Sequence, residues 1–249
     1  MNLIIEQGNS STKVAVYNKE GYMQTSCIFK EFVCSSLNTF FETYDLQHGI
    51  MSTVIRPDEQ ILSYLAKRMP HFIFPDANVS VPIRVQYQTP GTLGSDRLAA
   101  VVGAHYLRPG ENILVIDAGT AITYELLEAS GVYIGGNISP GMSTRFRALS
   151  HFTGKLPLHQ EEENIPLIGN STKTAIQAGV VNGIVYEMDG YIDELRRKYT
   201  RLLVFLTGGH SFYFERRLKN SIFADINLVL TGLNVIVEYN VENKESRSC

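Results

Sequence analysis

The chain has 249 residues and a formal net charge of −3 at pH 7, and 44% of its residues are hydrophobic. This composition excludes an intrinsically disordered chain, which combines low hydrophobicity with high net charge. Acidic residues (25) outnumber basic residues (22). We therefore expect no nucleic-acid partner, because binding to a phosphate backbone needs clustered Lys and Arg. The length fits one large domain or two small ones.

The cysteines and the first residues indicate the compartment. Cys27, Cys34 and Cys249 form no CxxC pair, and so sparse a set is typical of a reducing compartment. The start of the chain lacks the basic region of a signal peptide. The sequence contains no apolar run near the roughly 18 residues that a membrane-spanning helix needs. We predict a cytoplasmic protein with no membrane partner.

The first predicted elements are two strands joined by a tight acidic turn. An apolar run at residues 3–5 is followed by Glu6, Gly8 and several hydroxyl and amide residues, and a second strand-like run covers residues 14–17. A glycine turn at Gly21 and a further strand complete a β-meander pattern. Backbone N–H groups of such a turn can bind phosphate, and the carboxylate beside it can hold Mg²⁺. Taken alone, the residues also fit an ordinary hairpin.

A helix is predicted to begin near Ser95, which is a plausible N-cap, with Asp96 and Arg97 in its first turn. The positive end of a helix stabilises an ionised carboxylate. Asp96 could therefore accept the proton of a hydroxyl group, and Arg97 could bind a carboxylate through two hydrogen bonds. The plainer alternative is an acid at a helix start followed by an exposed arginine.

The strand–turn–strand pattern recurs at residues 114–127, with Asp117 and Gly119 in the places of the first acid and glycine. Two such turns can hold a nucleotide phosphate chain from both sides. The glycines of Thr207-Gly208-Gly209 would let an adenosine approach the backbone closely. Ser171 and Thr172 are predicted to start a longer helix. Its apolar face would contain residues four positions apart, Ile176, Val180, Ile184 and Met188.

The two copies predict an α/β fold with two lobes, residues 1–110 and residues 111–249. Paired acidic turns and a third glycine-rich turn resemble the superfamily of acetate and sugar kinases, heat-shock chaperones and actin. Its members pair two ribonuclease-H-like lobes around ATP. The resemblance implies an actin-like ATPase fold with ATP in the inter-lobe cleft, but it implies no particular substrate.

Six short blocks, in order, resemble the type III pantothenate kinase family. Its members have a DxGNTxxK-like opening, a Tyr followed by GxDR, a DxGTAxT block, a GGxIxPG block, an ST-led helix and a TGG block. The order agrees over most of the chain. In this sequence the blocks are residues 6–13, Tyr87 with Gly94-Ser95-Asp96-Arg97, residues 117–123, residues 135–141, Ser171-Thr172 and residues 207–209.

The resemblance implies a reaction and a set of roles. Type III pantothenate kinases form 4′-phosphopantothenate from ATP and pantothenate, the first step of coenzyme A biosynthesis, and they are homodimers. By this resemblance Asp96 accepts the hydroxyl proton, Asp117 helps to bind a monovalent cation (K⁺ or NH₄⁺), and Glu6 binds Mg²⁺ directly or through water. The residues expected to bind ATP are Glu6, Gln7, Gly8, Asn9, Ser10, Ser11, Thr12, Lys13 and Thr120. Those expected to bind pantothenate are Tyr87, Gly94, Ser95, Asp96 and Arg97, with Thr172 reaching across the dimer interface.

The opening block departs from the family pattern. Glu6 stands where the family has Asp, and Ser10 and Ser11 stand where Thr and usually Arg occur. The extra methylene moves the carboxylate about 1.5 Å further out, which bears on Mg²⁺, a metal with strict octahedral geometry.

Three alternatives stay open. One is a kinase of the same superfamily for another small metabolite. Another is a non-catalytic nucleotide-binding accessory factor in transcription, although such a factor has no need of a base such as Asp96. A ribonuclease-H-like nuclease would need several acids around two metal ions, and the blocks supply only Glu6 and Asp117.

Overall fold

The computed structural model describes residues 1–75 and 79–247, so Cys249 lies outside the described residues. The chain forms two compact units. Of the described residues, the first contains those of Met1–Gly110, Ser130–Ile134 and residues 227–247, and the second contains Glu111–Ala129 and Gly135–Ile226. These units and the two predicted lobes share the boundary after Gly110. They differ in Ser130–Ile134 and in the C-terminal helix, which belong to the first unit.

The first unit is built on a sheet of five strands in the described residues. Along the chain these are β1 (Asn2–Gln7), β2 (Thr12–Tyr17), β3 (Met23–Phe29), β4 (His48–Thr53) and β5 (His71–Ile73). Their order is β3-β2-β1-β4-β5, with β1 antiparallel to β2 and parallel to β4. The central strands are rich in Ile, Val and Leu and are almost entirely buried, as expected for a sheet covered on both faces.

The second unit repeats this arrangement. After β6 (Arg84–Val85) of the first unit, the strands are β7 (Ile113–Ala118), β8 (Ala121–Glu128), β9 (Val132–Pro140), β10 (Leu203–Thr207) and β11 (Phe223–Ala224). They lie in the order β9-β8-β7-β10-β11, and the start of β9 also pairs with β6. β7 is antiparallel to β8 and parallel to β10. Both predicted β-meanders are therefore confirmed, and each sheet continues with a parallel strand beside its first strand.

Helices cover the sheets. They are α1 (Asn38–Thr43), α2 (Glu59–Arg68), α3 (Ser95–Leu107), α4 (Met142–Phe152), α5 (Thr172–Lys198), α6 (Ser211–Glu215) and α7 (Leu228–Arg247). In the first unit α3 and α7 touch backbone to backbone: a Cβ on Gly232 would lie 1.8 Å from the carbonyl oxygen of Ala99. Glycine at this crossing allows the C-terminal helix α7 to pack closely against α3 of the first unit.

The helix starts test two predictions. Ser171 caps α5, with Thr174 completing a capping box, so that prediction is confirmed. All four residues of its predicted apolar face are buried. The predicted N-cap at Ser95 is wrong by one residue, because Gly94 is the N-cap and Ser95 is the first helical residue.

Within the described residues, none of the helices is long and apolar enough to span a membrane. Cys27 and Cys34 are free thiols.

Candidate active site

The turn between β1 and β2 places Glu6 and Lys13 side by side. The two residues are direct cross-strand partners, and Lys13 Nζ lies 3.3 Å from Glu6 Oε2. Only 18% of the Glu6 side chain and 21% of the Lys13 side chain are exposed, so this is not a solvated surface pair. The N–H of Gly8 closes the turn by donating to the carbonyl of Ser11 at 2.9 Å. Residues 9–10 form the exposed tip.

The remaining predicted residues of this turn point elsewhere. Thr12 is buried in β2, and the amide oxygen of Gln7 accepts a hydrogen bond from the Thr53 hydroxyl at 3.0 Å. Among the predicted ATP-binding residues of this turn, the exposed ones are therefore at its tip, and Lys13 lies beside Glu6.

Glu6 lies in an unusual electrostatic environment. Burial raises its pKa, the neighbouring Lys13 lowers it, and the negative charge of Asp96 raises it again, so that the net shift is upward. Oε2 of Glu6 is buried, makes no hydrogen bond within the described residues and faces the Lys13 ammonium at 3.3 Å. An oxygen atom without a hydrogen bond can still coordinate a cation. The carboxyl groups of Glu6 and Asp96 interact electrostatically, and two neighbouring negative charges favour the binding of a cation.

A serine that the sequence did not indicate fixes the start of α3. Ser52 lies opposite Glu6 on β4 and is buried, and its hydroxyl is 2.7 Å from that of Ser95. This contact ties the first residue of α3 to the strand ends that carry Glu6. Asp96 follows immediately, and a Cβ on Gly94 would lie 2.4 Å from Asp96 Oδ1. Glycine at position 94 therefore leaves room for the carboxylate in this orientation.

Arg97 is buried, 7% exposed, so the alternative of an exposed arginine is wrong. Its guanidinium lies over the ring of Tyr87, 5.5 Å from the centroid. It donates to the hydroxyls of Tyr87 at 3.4 Å and Tyr133 at 3.3 Å, and the two rings stack at 6.2 Å. The orientation of the guanidinium is thus fixed by aromatic neighbours. Tyr133 was not among the predicted site residues.

A cavity of about 340 Å³ in the first unit borders the start of α3. Ser95 and Gly94 form part of its wall, Thr53 adds a hydroxyl, and most of the remaining lining is aliphatic or proline. Small-molecule sites usually measure about 300–1,000 Å³ and are mostly apolar with a few polar groups.

In the second unit, Asp117 is the penultimate residue of β7 and lies opposite Thr123 on β8 and Thr207 on β10. Paired residues on adjacent strands face the same side of a sheet, so Asp117 stands between two hydroxyl side chains. Thr207 is buried, and its hydroxyl has no hydrogen-bond partner among the described residues. Gly208 has φ 91°, and a Cβ there would lie 2.3 Å from Asp117 Oδ1. The glycine leaves space beside a set of oxygen donors.

The turn after Asp117 is held through its backbone. The carbonyl oxygen of Thr120 accepts hydrogen bonds from the N–H of Gly141 at 3.0 Å and the hydroxyl of Thr144 at 2.8 Å. A Cβ on Gly141 would lie 2.2 Å from the carbonyl oxygen of Gly119. The glycine at the end of the GGxIxPG block thus packs directly on the Thr120 turn. Thr172 is the exposed first residue of α5.

Known proteins are similar to this chain over almost their whole length. The sequence profile described as type III pantothenate kinase matches residues 2–194. A type III pantothenate kinase of Bacteroides fragilis is 48% identical over 96% of this chain and 98% of that protein. One of Porphyromonas gingivalis is 45% identical over 96% of this chain and 99% of that protein.

Solved structures are similar in fold. A Campylobacter jejuni protein described as a Baf family transcriptional activator has a TM-score of 0.61 at 23% identity, over 96% of this chain and 99% of that one. An activator of 2-hydroxyisocaproyl-CoA dehydratase from Clostridium difficile, with bound ADPNP, has a TM-score of 0.57 at 13% identity, over 99% and 97%. A glucokinase of Streptomyces griseus in complex with glucose and AMPPNP has a TM-score of 0.55 at 10% identity, over 96% and 98%. These likenesses show the fold alone, and they confirm the predicted actin-like ATPase fold.

Proposed function

Because the chain belongs to the type III pantothenate kinase family, we propose that it transfers the γ-phosphate of ATP to the primary hydroxyl of pantothenate. The product is 4′-phosphopantothenate, the first intermediate of coenzyme A biosynthesis. One observation supports this most directly: the profile match spans residues 2–194 and includes the opening turn, the start of α3 and the Asp117 turn.

Asp96 is the proposed proton acceptor. It lies in the first turn of α3, where the helix end favours its ionised form, and Gly94 gives its carboxylate room. As the hydroxyl oxygen of pantothenate bonds to the γ-phosphorus and the bond from that phosphorus to ADP breaks, the hydroxyl proton passes to Asp96. Tyr87, Arg97 and the backbone at residues 94–95 hold pantothenate, and the fixed guanidinium of Arg97 suits an anionic group.

ATP is proposed to contact each unit separately. In the first unit these contacts come from the opening turn, residues 6–13, with Lys13 as its cation. In the second unit they come from Thr120. The buried Glu6 Oε2 fits an Mg²⁺ ion held directly or through water. When bound, Mg²⁺ would neutralise phosphate charge.

A monovalent cation, K⁺ or NH₄⁺, is proposed to bind at Asp117. The donor set fits, because Asp117 shares its face with Thr207, whose buried hydroxyl has no hydrogen-bond partner among the described residues. A buried hydroxyl left in this state costs about 1–3 kcal/mol, and a cation coordinated by oxygen would remove that cost.

The chain is proposed to act as a homodimer in which Thr172 contacts pantothenate held by the partner. Support comes from apolar side chains exposed near α5, because large exposed apolar areas mark interfaces. Leu167 and Ile168 are 71% and 81% exposed, and Tyr186 is 60% exposed. Asn182 of α5 donates to the carbonyl of Pro166 at 3.0 Å, which brings this loop against the helix beside Tyr186. Sedimentation equilibrium tests the dimer, and a monomer at assay concentration would contradict it.

A coupled ADP-release assay with pantothenate, run in K⁺ and again in Na⁺, tests the function. We expect pantothenate-dependent ADP release that needs K⁺. Release with a different hydroxyl compound but not with pantothenate would indicate another kinase of the superfamily. Nucleotide binding without turnover of any acceptor would indicate an accessory factor.

A further inference from the structure

Glu187 on α5 collects hydrogen bonds from three different elements of the second unit. Its Oε1 accepts from the hydroxyl of Tyr124 on β8 at 2.7 Å and from the hydroxyl of Ser139 on β9 at 2.5 Å. Its Oε2 pairs with Arg145 of α4. Burial alone would raise the pKa of Glu187, but the bonds from Ser139, Arg145 and Tyr124 outweigh it and lower that pKa. The Glu187 carboxylate is therefore ionised at neutral pH and bound to three side chains.

Arg145 connects the Glu187 carboxylate to the end of β9. While its Nη2 pairs with Glu187, its Nε donates to the carbonyl of Pro140 at 2.8 Å. The backbone N–H of Arg145 also donates to the carbonyl of Gly141 at 2.9 Å. The guanidinium thus holds the peptide groups at residues 140–141 in one orientation relative to α5.

Gly141 also lies against the Thr120 turn. The N–H of Gly141 and the hydroxyl of Thr144 both donate to the carbonyl oxygen of Thr120, and Gly141 has no room for a Cβ beside Gly119 and Thr120. A shift of residues 140–141 therefore has to move the Thr120 peptide or break the hydrogen bond from the N–H of Gly141.

We propose that Arg145 and Glu187 are positioning residues for the Thr120 turn. The pair fixes residues 140–141, residues 140–141 fix the Thr120 carbonyl, and the turn is thereby tied to the helix that begins at Thr172. The consequence for ATP rests on the proposed function, which assigns Thr120 to the nucleotide. Arg145 and Glu187 act through other groups and are not catalytic residues.

Two substitutions separate positioning from simple stabilisation. Arg145→Lys keeps a positive charge that can pair with Glu187, but lysine lacks the second donor direction that reaches Pro140. Glu187→Gln keeps acceptor capacity and removes the charge. Asp193→Asn is the matched control, because Asp193 belongs to the same helix and forms an ion pair with Lys219 at 2.7 Å.

The first measurement is hydrogen–deuterium exchange of the protein without nucleotide. We expect peptides containing the amides of Gly119 and Gly141 to exchange about tenfold faster in Arg145→Lys and Glu187→Gln. Asp193→Asn should leave them unchanged. Unchanged exchange in both test variants, or an equal rise in the control, would overturn the inference.

The second measurement is AMPPNP affinity by calorimetry, with KM for ATP and for pantothenate beside it. We expect a roughly tenfold weaker Kd for AMPPNP and a similar rise in the KM for ATP, with little change in the KM for pantothenate. Faster exchange with unchanged AMPPNP affinity would leave the positioning pair standing and would remove Thr120 from the proposed nucleotide site. The two failures are thereby distinguishable.

Discussion

The hydrogen-bonded hydroxyls of Ser52 and Ser95 predict that removing one of them destabilises the protein more than removing the other. Ser52 is 1% exposed, whereas Ser95 is only partly buried, and their oxygens are 2.7 Å apart. Ser52→Ala leaves a Ser95 hydroxyl that can bond to water, so we expect a loss of about 0.5–1.5 kcal/mol, the usual net value of one hydrogen bond. Ser95→Ala leaves the buried Ser52 hydroxyl without its partner, and we expect a loss of about 1–3 kcal/mol.

Urea unfolding of both single variants and of the double variant measures these energies. The double variant should be no less stable than Ser95→Ala, because removal of the second hydroxyl removes the unsatisfied group. The single variants should also lower kcat more than they raise the KM for ATP, since a displacement of about 1 Å at a reacting group can cost about 10²-fold. Ser63→Ala, an exposed serine of α2, is the control. A larger loss for Ser52→Ala, or strict additivity, would refute the reasoning.

Three further predictions concern the candidate site. Asp96→Asn should lower kcat by roughly 10²–10⁴-fold with AMPPNP affinity retained in calorimetry; unchanged turnover would exclude the proposed role. Gly208→Ala should lower the free energy of unfolding by more than about 1 kcal/mol, because φ is 91° and the new Cβ would meet Asp117 Oδ1, and it should abolish activation by K⁺; a variant with normal stability and normal K⁺ activation would contradict this. The pKa of Glu6 is raised above 4.5, so its contribution to stability is present below that pH and is lost as pH rises through the folded-state pKa. In denaturant titrations from pH 4 upward, the free energy of unfolding of Glu6→Gln should therefore increase relative to that of the wild type. A difference that stays constant or decreases would count against a raised pKa of Glu6.

Local patterns predicted those parts of the fold that depend on nearby residues. Alternation of apolar runs and acidic glycine turns indicated both meanders, and the Ser171 cap and the apolar face of α5 follow from spacings of three and four residues. The predicted cap at Ser95 failed because the Ser95 hydroxyl bonds to Ser52, 43 residues earlier. The alternative of an exposed Arg97 failed because Tyr133, 36 residues later, covers the guanidinium.

The supporting residues of the candidate site could not be read from the sequence, because each acts through a partner from a distant element. Ser52 belongs to a strand whose pairing with β1 is set by the tertiary fold. Arg145 and Glu187 are 42 residues apart, and each by itself is an ordinary charged residue of an amphipathic helix. The block motifs predict which groups face a ligand, whereas the contacts that support those groups appear only once strands and helices are placed.

The substitution of Glu for Asp at position 6 has a physical context in the first unit. Glu6 is the direct cross-strand partner of Lys13, and their charged groups are 3.3 Å apart. An aspartate at this place would hold its carboxylate about one C–C bond, roughly 1.5 Å, nearer to the backbone, and so would pair less closely with Lys13. Burial and the charge of Asp96 both disfavour the ionised form of Glu6, and the Lys13 ammonium opposes them. The longer side chain of glutamate brings the carboxyl group close to that ammonium. The departure at position 6 therefore keeps the carboxyl group beside the Lys13 ammonium at the turn, where the proposed binding of Mg²⁺ and ATP requires both groups.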